Sequence, residues 1–538
     1  MSLDDIRRRT AACERIDRAD IERFLASDDR GERYLAHRCL AVQGLLEAVD
    51  HLSEGMSENG YADVEDLQRL FAVCRLAEDT ETIVRSGFLG GLAAVRRGDD
   101  ALALEILQVA AMDDIRRGIK YLGNTTGADE VAKAYDTVAA RHVPFAPVTT
   151  APNTPGRLRV GYVVPNLIDD VNAPSQRILN FAKYHDRERF QMHVYSSEGL
   201  CRRARPLYFR SQQCAGTAER APKMLRTFTD LDIPFYAAPV DGTLIDSAEA
   251  LARRMREDRL DVAAYQSSLA CPIECLVADW HVAPVQVNVN IGVPMYVQGI
   301  DCTTYFMRGN HDREAGHFAS RGKRTLFVHG GIDLDVSLPP LPRRAECGIP
   351  ESAVILMTVG NNLPQRLSPE FVDCVSRILL ANRDAIYVVI GGGDLTTQKE
   401  RFHEAGVLKR VAFTGPRNDV RHVIRLADVY VNEFPQGGAQ SVMEAMAAGV
   451  PAVAMRYSDQ HLHCCGAEYV GDEMTIRSRD FDGYVRLVGR LITDAAFRRE
   501  RARAARRRVE ELYSFRNCVR RFESLYLELS GEPAADAA

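Results

Sequence analysis

No stretch of about 18 consecutive apolar residues occurs in the 538-residue chain, so no membrane-spanning helix is expected. The opening residues, MSLDDIRRRT, lack the apolar run of a secretory signal, and a cytoplasmic protein is expected. Neither sign of charge dominates. The 74 acidic and 68 basic side chains leave a formal net charge of -6, too balanced for a surface that is a nucleic-acid footprint throughout. No nucleic-acid partner is expected, and any basic site must be local. Cysteine is odd in number, at 13, and scattered. That excludes the disulfide framework of a small secreted domain and implies reduced thiols, mostly packed in cores. What remains is ordinary globular material: 46% hydrophobic and 26% charged residues exclude wholesale disorder, collagen-like and coiled-coil chains. At about 150 residues per domain, the length implies three or four domains.

The texture of the chain changes twice. As far as His142, apolar residues recur at three- and four-residue spacing, as in Leu102, Ile106, Leu107 and Ala110, which predicts an α-helical domain over 1–142. No repeat near 34 residues marks it as a tetratricopeptide array. Pro144, Pro147, Pro152 and Pro155 then predict an extended linker over 143–156. After it, short apolar runs alternate with helical segments: RLRVGYVVP, FQMHVYS, LDVAAYQ and PVQVNVNIG, and beyond Leu338–Pro342 a second series, AVILMTVG, AIYVVIGGG, RVAFTG, ADVYVNEF and PAVAM. Alternation of this kind predicts βαβ units. The fold class expected is α/β, with two Rossmann-like doubly wound domains at 157–337 and 338–514 facing a cleft, preceded by the all-α domain. A closing helix and tail follow at 515–538. Ligands in such sheets gather outside the carboxyl ends of the strands.

The segment Asn432 to Met455, NEFPQGGAQSVMEAMAAGVPAVAM, reads as a strand end, a glycine turn, a helix start and another strand. Gly437 and Gly438 allow close approach of backbone to a ligand, and the first N–H groups of the helix, on Ala439, Gln440 and Ser441, suit a diphosphate. Glu444 has two readings: a carboxylate accepting from two ribose hydroxyls, or the acidic partner of Ser441 in an S-x-x-E capping box.

These residues resemble the nucleotide-sugar site of two-domain glycosyltransferases of the GT-B architecture, and the resemblance favours the ribose reading. In the group 1 branch two glutamates lie eight positions apart; here the pair is Gln436 and Glu444. An amide at Gln436 can hydrogen-bond a donor sugar but brings no negative charge to the anomeric centre. Most of 157–470 resembles the catalytic region of O-linked N-acetylglucosamine transferases and their SPINDLY relatives. The matching runs are RLRVGYVVPN, KYHDRERFQMHVYS, APVQV followed by Gly292 and Pro294, and GNNLPQRLSPE. By that resemblance Arg366 stands where the family has a phosphate-binding lysine, and a guanidinium there adds bidentate geometry. Phe413, Thr414, Gly415 and Arg417, with His422, lie along the nucleobase, and Asp459, Gln460 and His461 approach the transferred sugar. The family's histidines after the first strand are replaced by Asn172 and Gln176, which cannot act as bases near neutral pH. The remaining candidates for a base are His281, just before APVQV, and Asp169 and Asp170, whose alternative role is a turn or cap.

No metal is expected. His461, His463, Cys464 and Cys465 are too closely spaced for a closed tetrahedral site, and Cys271 and Cys275 lack a second pair. The arginine-rich run Phe497 to Arg508 carries no interleaved aromatics and reads as a solvated helix face. Together these imply a metal-independent glycosyltransferase moving a hexose-type sugar, from UDP-GlcNAc or UDP-glucose, to an acceptor such as a protein side chain. The helical domain would recognise that acceptor or mediate homo-oligomer formation. Two rivals are a nucleotide-sugar epimerase and an inactive nucleotide- or partner-binding scaffold.

Overall fold

The structure, a computed structural model, describes residues 80–117, 125–149, 157–169, 173–199, 216–341, 343–344, 350–360, 363–417, 419–457 and 465–531, and short stretches between 2 and 47. It forms two compact units. The first comprises Met1–Thr304, Arg321–Thr325 and Leu525–Ala538, and the second Tyr305–Ser320 and Leu326–Ser524.

The first unit is built on a seven-stranded sheet. Its strands are β1 (Leu158–Val164), β2 (Phe190–Ser196), β3 (Phe235–Ala237), β4 (Val262–Tyr265), β5 (Val285–Val289), β6 (Cys302–Tyr305) and β7 (Arg324–Phe327), in the order β3-β2-β1-β4-β5-β6-β7. The pairings of β1 with β2 and β4, and of β5 with β4 and β6, are parallel. Strands β4 and β5 are buried along their whole length, as strands covered on both faces must be. Helix starts follow local chemistry. Thr243 and Asp246 close a reciprocal capping box on the helix Leu244–Glu257, satisfying two N–H groups that the helix cannot.

The helices Asp100–Arg117 and Thr125–Arg141 belong to this same unit, whereas the sequence predicts a separate domain. Their surfaces give the reason. Leu102, Ala103, Leu104, Ile106, Leu107, Val109 and Ala110 are all buried, so the first helix is apolar nearly all round and needs partners on every side. Gln108 Nε2 donates to the carbonyl of Gly199 (3.1 Å) and Trp280 Nε1 to that of Ala139 (3.0 Å). Asp136 and Asp279 lie together there, and burial raises the pKa of both; at Asp279 the Asp136 carboxyl adds to the rise. Part of the expected linker also packs: the Val148 N–H donates to His281 O (2.9 Å), and the Arg256 guanidinium sits 4.1 Å from the centre of the Phe145 ring.

The second unit holds a six-stranded sheet of β8 (Val354–Gly360), β9 (Ala385–Gly391), β10 (Val411–Gly415), β11 (Val429–Val431), β12 (Ala452–Met455) and β13 (Thr475–Ile476), ordered β10-β9-β8-β11-β12-β13. Its neighbouring strands pair in parallel throughout. Strand order reverses between β8 and β11, the switch point outside which ligands bind in such sheets. A buried polar chain braces that point. Tyr387 donates to Thr358 Oγ1 (2.8 Å), Thr358 to Val431 O (2.7 Å), and the Tyr484 hydroxyl to Asn432 O (3.0 Å). The arginine-rich run lies in the helix Ala495–Leu512 and is only partly the solvated face expected. Arg508 Nε donates to Tyr469 O (2.8 Å) and Arg506 to Ala447 O, and Arg501 and Arg508 line a cavity of about 200 Å³. Among the described residues no helix is long and apolar enough to cross a membrane.

Candidate active site

Two segments leave the second sheet at its switch point: Leu363–Arg366 after β8, and Asn432–Ala439 after β11, leading into the helix Gln440–Ala447. The structure brings Arg366 to the glycine turn. A Cβ on Gly438 would lie 2.6 Å from Arg366 Nη2, and one on Gly360 2.5 Å from Nη1. A Cβ on Gly437 would stand 2.7 Å from the carbonyl of Glu433. The glycines are therefore demanded by the protein's own packing, with the guanidinium occupying the space beside Gly438. Arg366 is ion-paired with Glu433, whose side chain is completely buried. Asn432 Nδ2 donates both to Glu433 Oε2 (3.2 Å) and to Gly438 O (3.2 Å), joining carboxylate and turn. Burial pushes the Glu433 carboxyl up to about 7, while Arg366 pulls it down.

The capping-box reading of Ser441 and Glu444 does not hold. The residue at the cap position is Ala439, with no side-chain cap bond. Ser441 turns inward to accept from the Tyr430 hydroxyl (2.8 Å). The helix start carries no side-chain cap, a ready seat for an anion. Glu444 accepts from Arg421 Nε (3.3 Å) and Gln440 Nε2 (3.2 Å), and both bonds fall on Oε1. Gln436 is half-buried beside the turn.

The nucleobase segment forms the edge strand β10. Phe413 packs on Phe402 (ring centres 6.3 Å apart) with Lys399 Nζ 5.3 Å from its ring centre. Thr414 is exposed, and Gly415 takes a positive φ of 74° at the strand's end. Arg417 is committed to Asp419 through two bonds of 2.7 Å, which hold the Asp419 carboxyl below the usual range. Arg421 takes the place beside Glu444 that the sequence offered to no residue. His422 Nδ1 is buried without a hydrogen-bond partner among the described residues.

The candidate bases fare differently. His281 stands before β5, at the amino end of its parallel sheet, and its carbonyl receives the Val148 N–H. Ligands gather at the opposite, carboxyl ends, so the placement contradicts the expected base; burial also lowers its pKa. Asp169 accepts from the N–H groups of Lys223 (2.8 Å) and Met224 (2.9 Å), a cap for the helix Pro222–Asp230. Gln176 lies half-buried on the helix Ala173–Tyr184. Asp170, Asn172, Asp459, Gln460, His461, His463 and Cys464 lie outside the described residues. Cys271 and Cys275 are buried free thiols.

Glu433 and Asn432 were not among the sequence candidates. The available signal was a polar pair between Val431 and Phe434, where a buried strand would otherwise run on apolar.

Two parallel doubly wound sheets in one chain, the second with a glycine turn and an uncapped helix at its switch point, define the GT-B architecture. Residues 353–494 match the family described as glycosyl transferases group 1. An O-GlcNAc transferase mutant from Thermobaculum terrenum aligns over 98% of both chains with a TM-score of 0.55 at 17% identity. Anabaena HepE, solved with UDP and glucose, aligns over 69% of this chain and 100% of its own, with a TM-score of 0.51 at 12% identity. The Escherichia coli UDP-Gal:alpha-D-GlcNAc-diphosphoundecaprenol alpha-1,3-galactosyltransferase is 20% identical over 211 residues, 38% of this chain and 54% of its own. The chain spans about half the length of the curated relatives it matches.

Proposed function

We propose that the protein is a glycosyltransferase that moves a hexose-type sugar from a uridine diphosphate sugar, UDP-GlcNAc or UDP-glucose, to a nucleophilic acceptor, with a protein side chain as the favoured class. The observation that carries this reading is the meeting of Arg366, the Gly437–Gly438 turn and the uncapped helix Gln440–Ala447 at the switch point between β8 and β11. These groups can stabilise charge developing on the leaving diphosphate, the largest contribution expected in such a transfer. A guanidinium and a helix start supply that charge without a metal, and metal independence is part of the reading. Glu444 Oε2 is available to the ribose, and β10 from Phe413 to Gly415 offers backbone groups to the base. The solved UDP complex of HepE supports the choice of uridine. A cytoplasmic setting fits the buried free thiols Cys271, Cys275, Cys302, Cys374 and Cys518. The helices within 1–142 are the proposed acceptor-recognition element, and the proposed domain limits are those expected above.

The test is to incubate the protein with UDP-GlcNAc or UDP-glucose and a peptide library presenting nucleophilic side chains, without added metal. The expected result is peptide-dependent release of UDP with a matching gain of one sugar mass on a peptide. Conversion of the UDP-sugar to an isomer without UDP release indicates an epimerase. Binding without turnover indicates a scaffold.

A further inference from the structure

The pairing of Arg366 with Glu433 raises a question of charge, since a diphosphate needs the guanidinium that the carboxylate already holds. Arg366 Nη2 lies beside Gly438, at the turn where an anion would sit, and its side chain is 13% exposed, whereas that of Glu433 is not exposed at all. The carboxylate cannot turn away to solvent, and Asn432 ties its other oxygen to the glycine turn. We propose that Glu433 is a positioning residue that holds Arg366 against Gly438 in the empty site and releases its charge to the donor diphosphate by taking up a proton, so that donor binding is coupled to protonation of Glu433. This rests on the UDP-sugar reading above.

The remaining titratable groups facing Glu433 are Tyr387 on β9, Tyr430 on β11 and Tyr484 on the helix Phe481–Thr493, with Arg366 the one cation among the described residues acting on it. Burial raises all three tyrosines above their ordinary range, so they stay neutral and leave the carboxyl as the group that responds. Its ordinary value is already pushed up to about 7. A bound diphosphate, drawing on Arg366, removes part of the pull that opposes this rise. The sign follows. Below about pH 7 the carboxyl is protonated with or without donor, and affinity is level. Above it, binding must recruit a proton, and affinity falls by up to about tenfold per pH unit until the bound-state value is passed.

The test is calorimetric titration of the full chain with UDP-glucose and UDP-GlcNAc, whose diphosphates do not titrate in this window, between about pH 6 and about pH 8.5. Buffers of different ionisation enthalpy report the protons taken up by the wild type, a readout that needs no variant. Expected are fractional proton uptake between about pH 7 and 8 and falling affinity. In Glu433→Gln both should vanish, with affinity near the wild-type value at about pH 6 and several-fold above it at about pH 8.5. Proton uptake that survives Glu433→Gln, which would point to His422, overturns the proposal. So does wild-type binding that is flat with pH, or a variant weakened equally at every pH, and in these cases the UDP-sugar reading still stands. If the wild type binds neither ligand at any pH, the UDP-sugar reading fails and this proposal with it.

Discussion

Arg366 is a cation held on three sides, by Glu433, by the space above Gly438 and by the end of β8 at Gly360. Its expected place at a phosphate could be read from GNNLPQRLSPE. Its counter-ion could not, because Glu433 acquires meaning only when β8 and β11 become neighbours, and nothing local marks a glutamate that answers a distant arginine. Glu444 shows the opposite case. Its spacing from Ser441 allowed a cap, and the helix register excludes it, since the cap position falls on Ala439. Glu444→Ala should therefore weaken UDP binding by about 10- to 100-fold, the worth of hydrogen bonds to a charged acceptor, while melting within about 1 kcal/mol of the wild type, because no cap is lost. Titration calorimetry beside a thermal melt checks both. A large fall in stability with normal binding would restore the capping role.

Among the elements, strands β1, β2, β4, β5, β8, β9, β10, β11 and β12 were legible as apolar runs between turn residues, the shortest of them, β4, β11 and β12, being buried along their whole length. Strands β3, β6, β7 and β13 were not. They have two to four residues, and three of the four are only partly buried, so no period declares itself; β6, though buried, reads Cys-Thr-Thr-Tyr. The glycine turn was legible as a turn, but its glycines answer to neighbouring side chains more than to an approaching ligand. That distinction has a consequence at Gly438. A methyl group there meets the Arg366 guanidinium at 2.6 Å, and Arg366 cannot retreat without leaving Glu433. Gly438→Ala is expected to cost about 1–3 kcal/mol, the usual range for overpacking, and to lower UDP affinity by displacing the arginine. Urea melts and UDP titration check this. A variant with wild-type stability and affinity would show that the turn has room to spare.

At the scale of the whole chain, the two doubly wound sheets were expected and are present, while the helices Asp100–Arg117 and Thr125–Arg141, expected apart, pack against the helices Leu244–Glu257 and Pro272–Asp279 of the first unit. That docking is not legible in sequence, because a helix that is apolar all round reads like any helical core. The compact units also divide near Thr304 and Tyr305, earlier than the prolines at 338–342 suggested. The docked helical segment brings Asp136 against Asp279, two carboxyls whose pKa values burial raises. A carboxyl raised above its unfolded value keeps a proton that the unfolded chain gives up. The stability it contributes is full below the ordinary carboxylate range and is lost as pH rises toward the folded value. Asp279→Asn should thus match the wild type in acid and melt above it at about pH 8, as thermal melts across pH would show; an equal loss at every pH would contradict the account.

The central claim, that the switch point of the second sheet receives a nucleoside diphosphate sugar, is tested most directly by a thermal-shift screen of the full chain. The ligands are uridine, guanosine, thymidine, adenosine and cytidine diphosphates and their common sugar conjugates, without added metal. A ligand at 100 times its dissociation constant stabilises the folded state by about 2.7 kcal/mol. The account predicts a selective rise in melting temperature with the uridine compounds. A cooperative melt that none of the ligands shifts would contradict it.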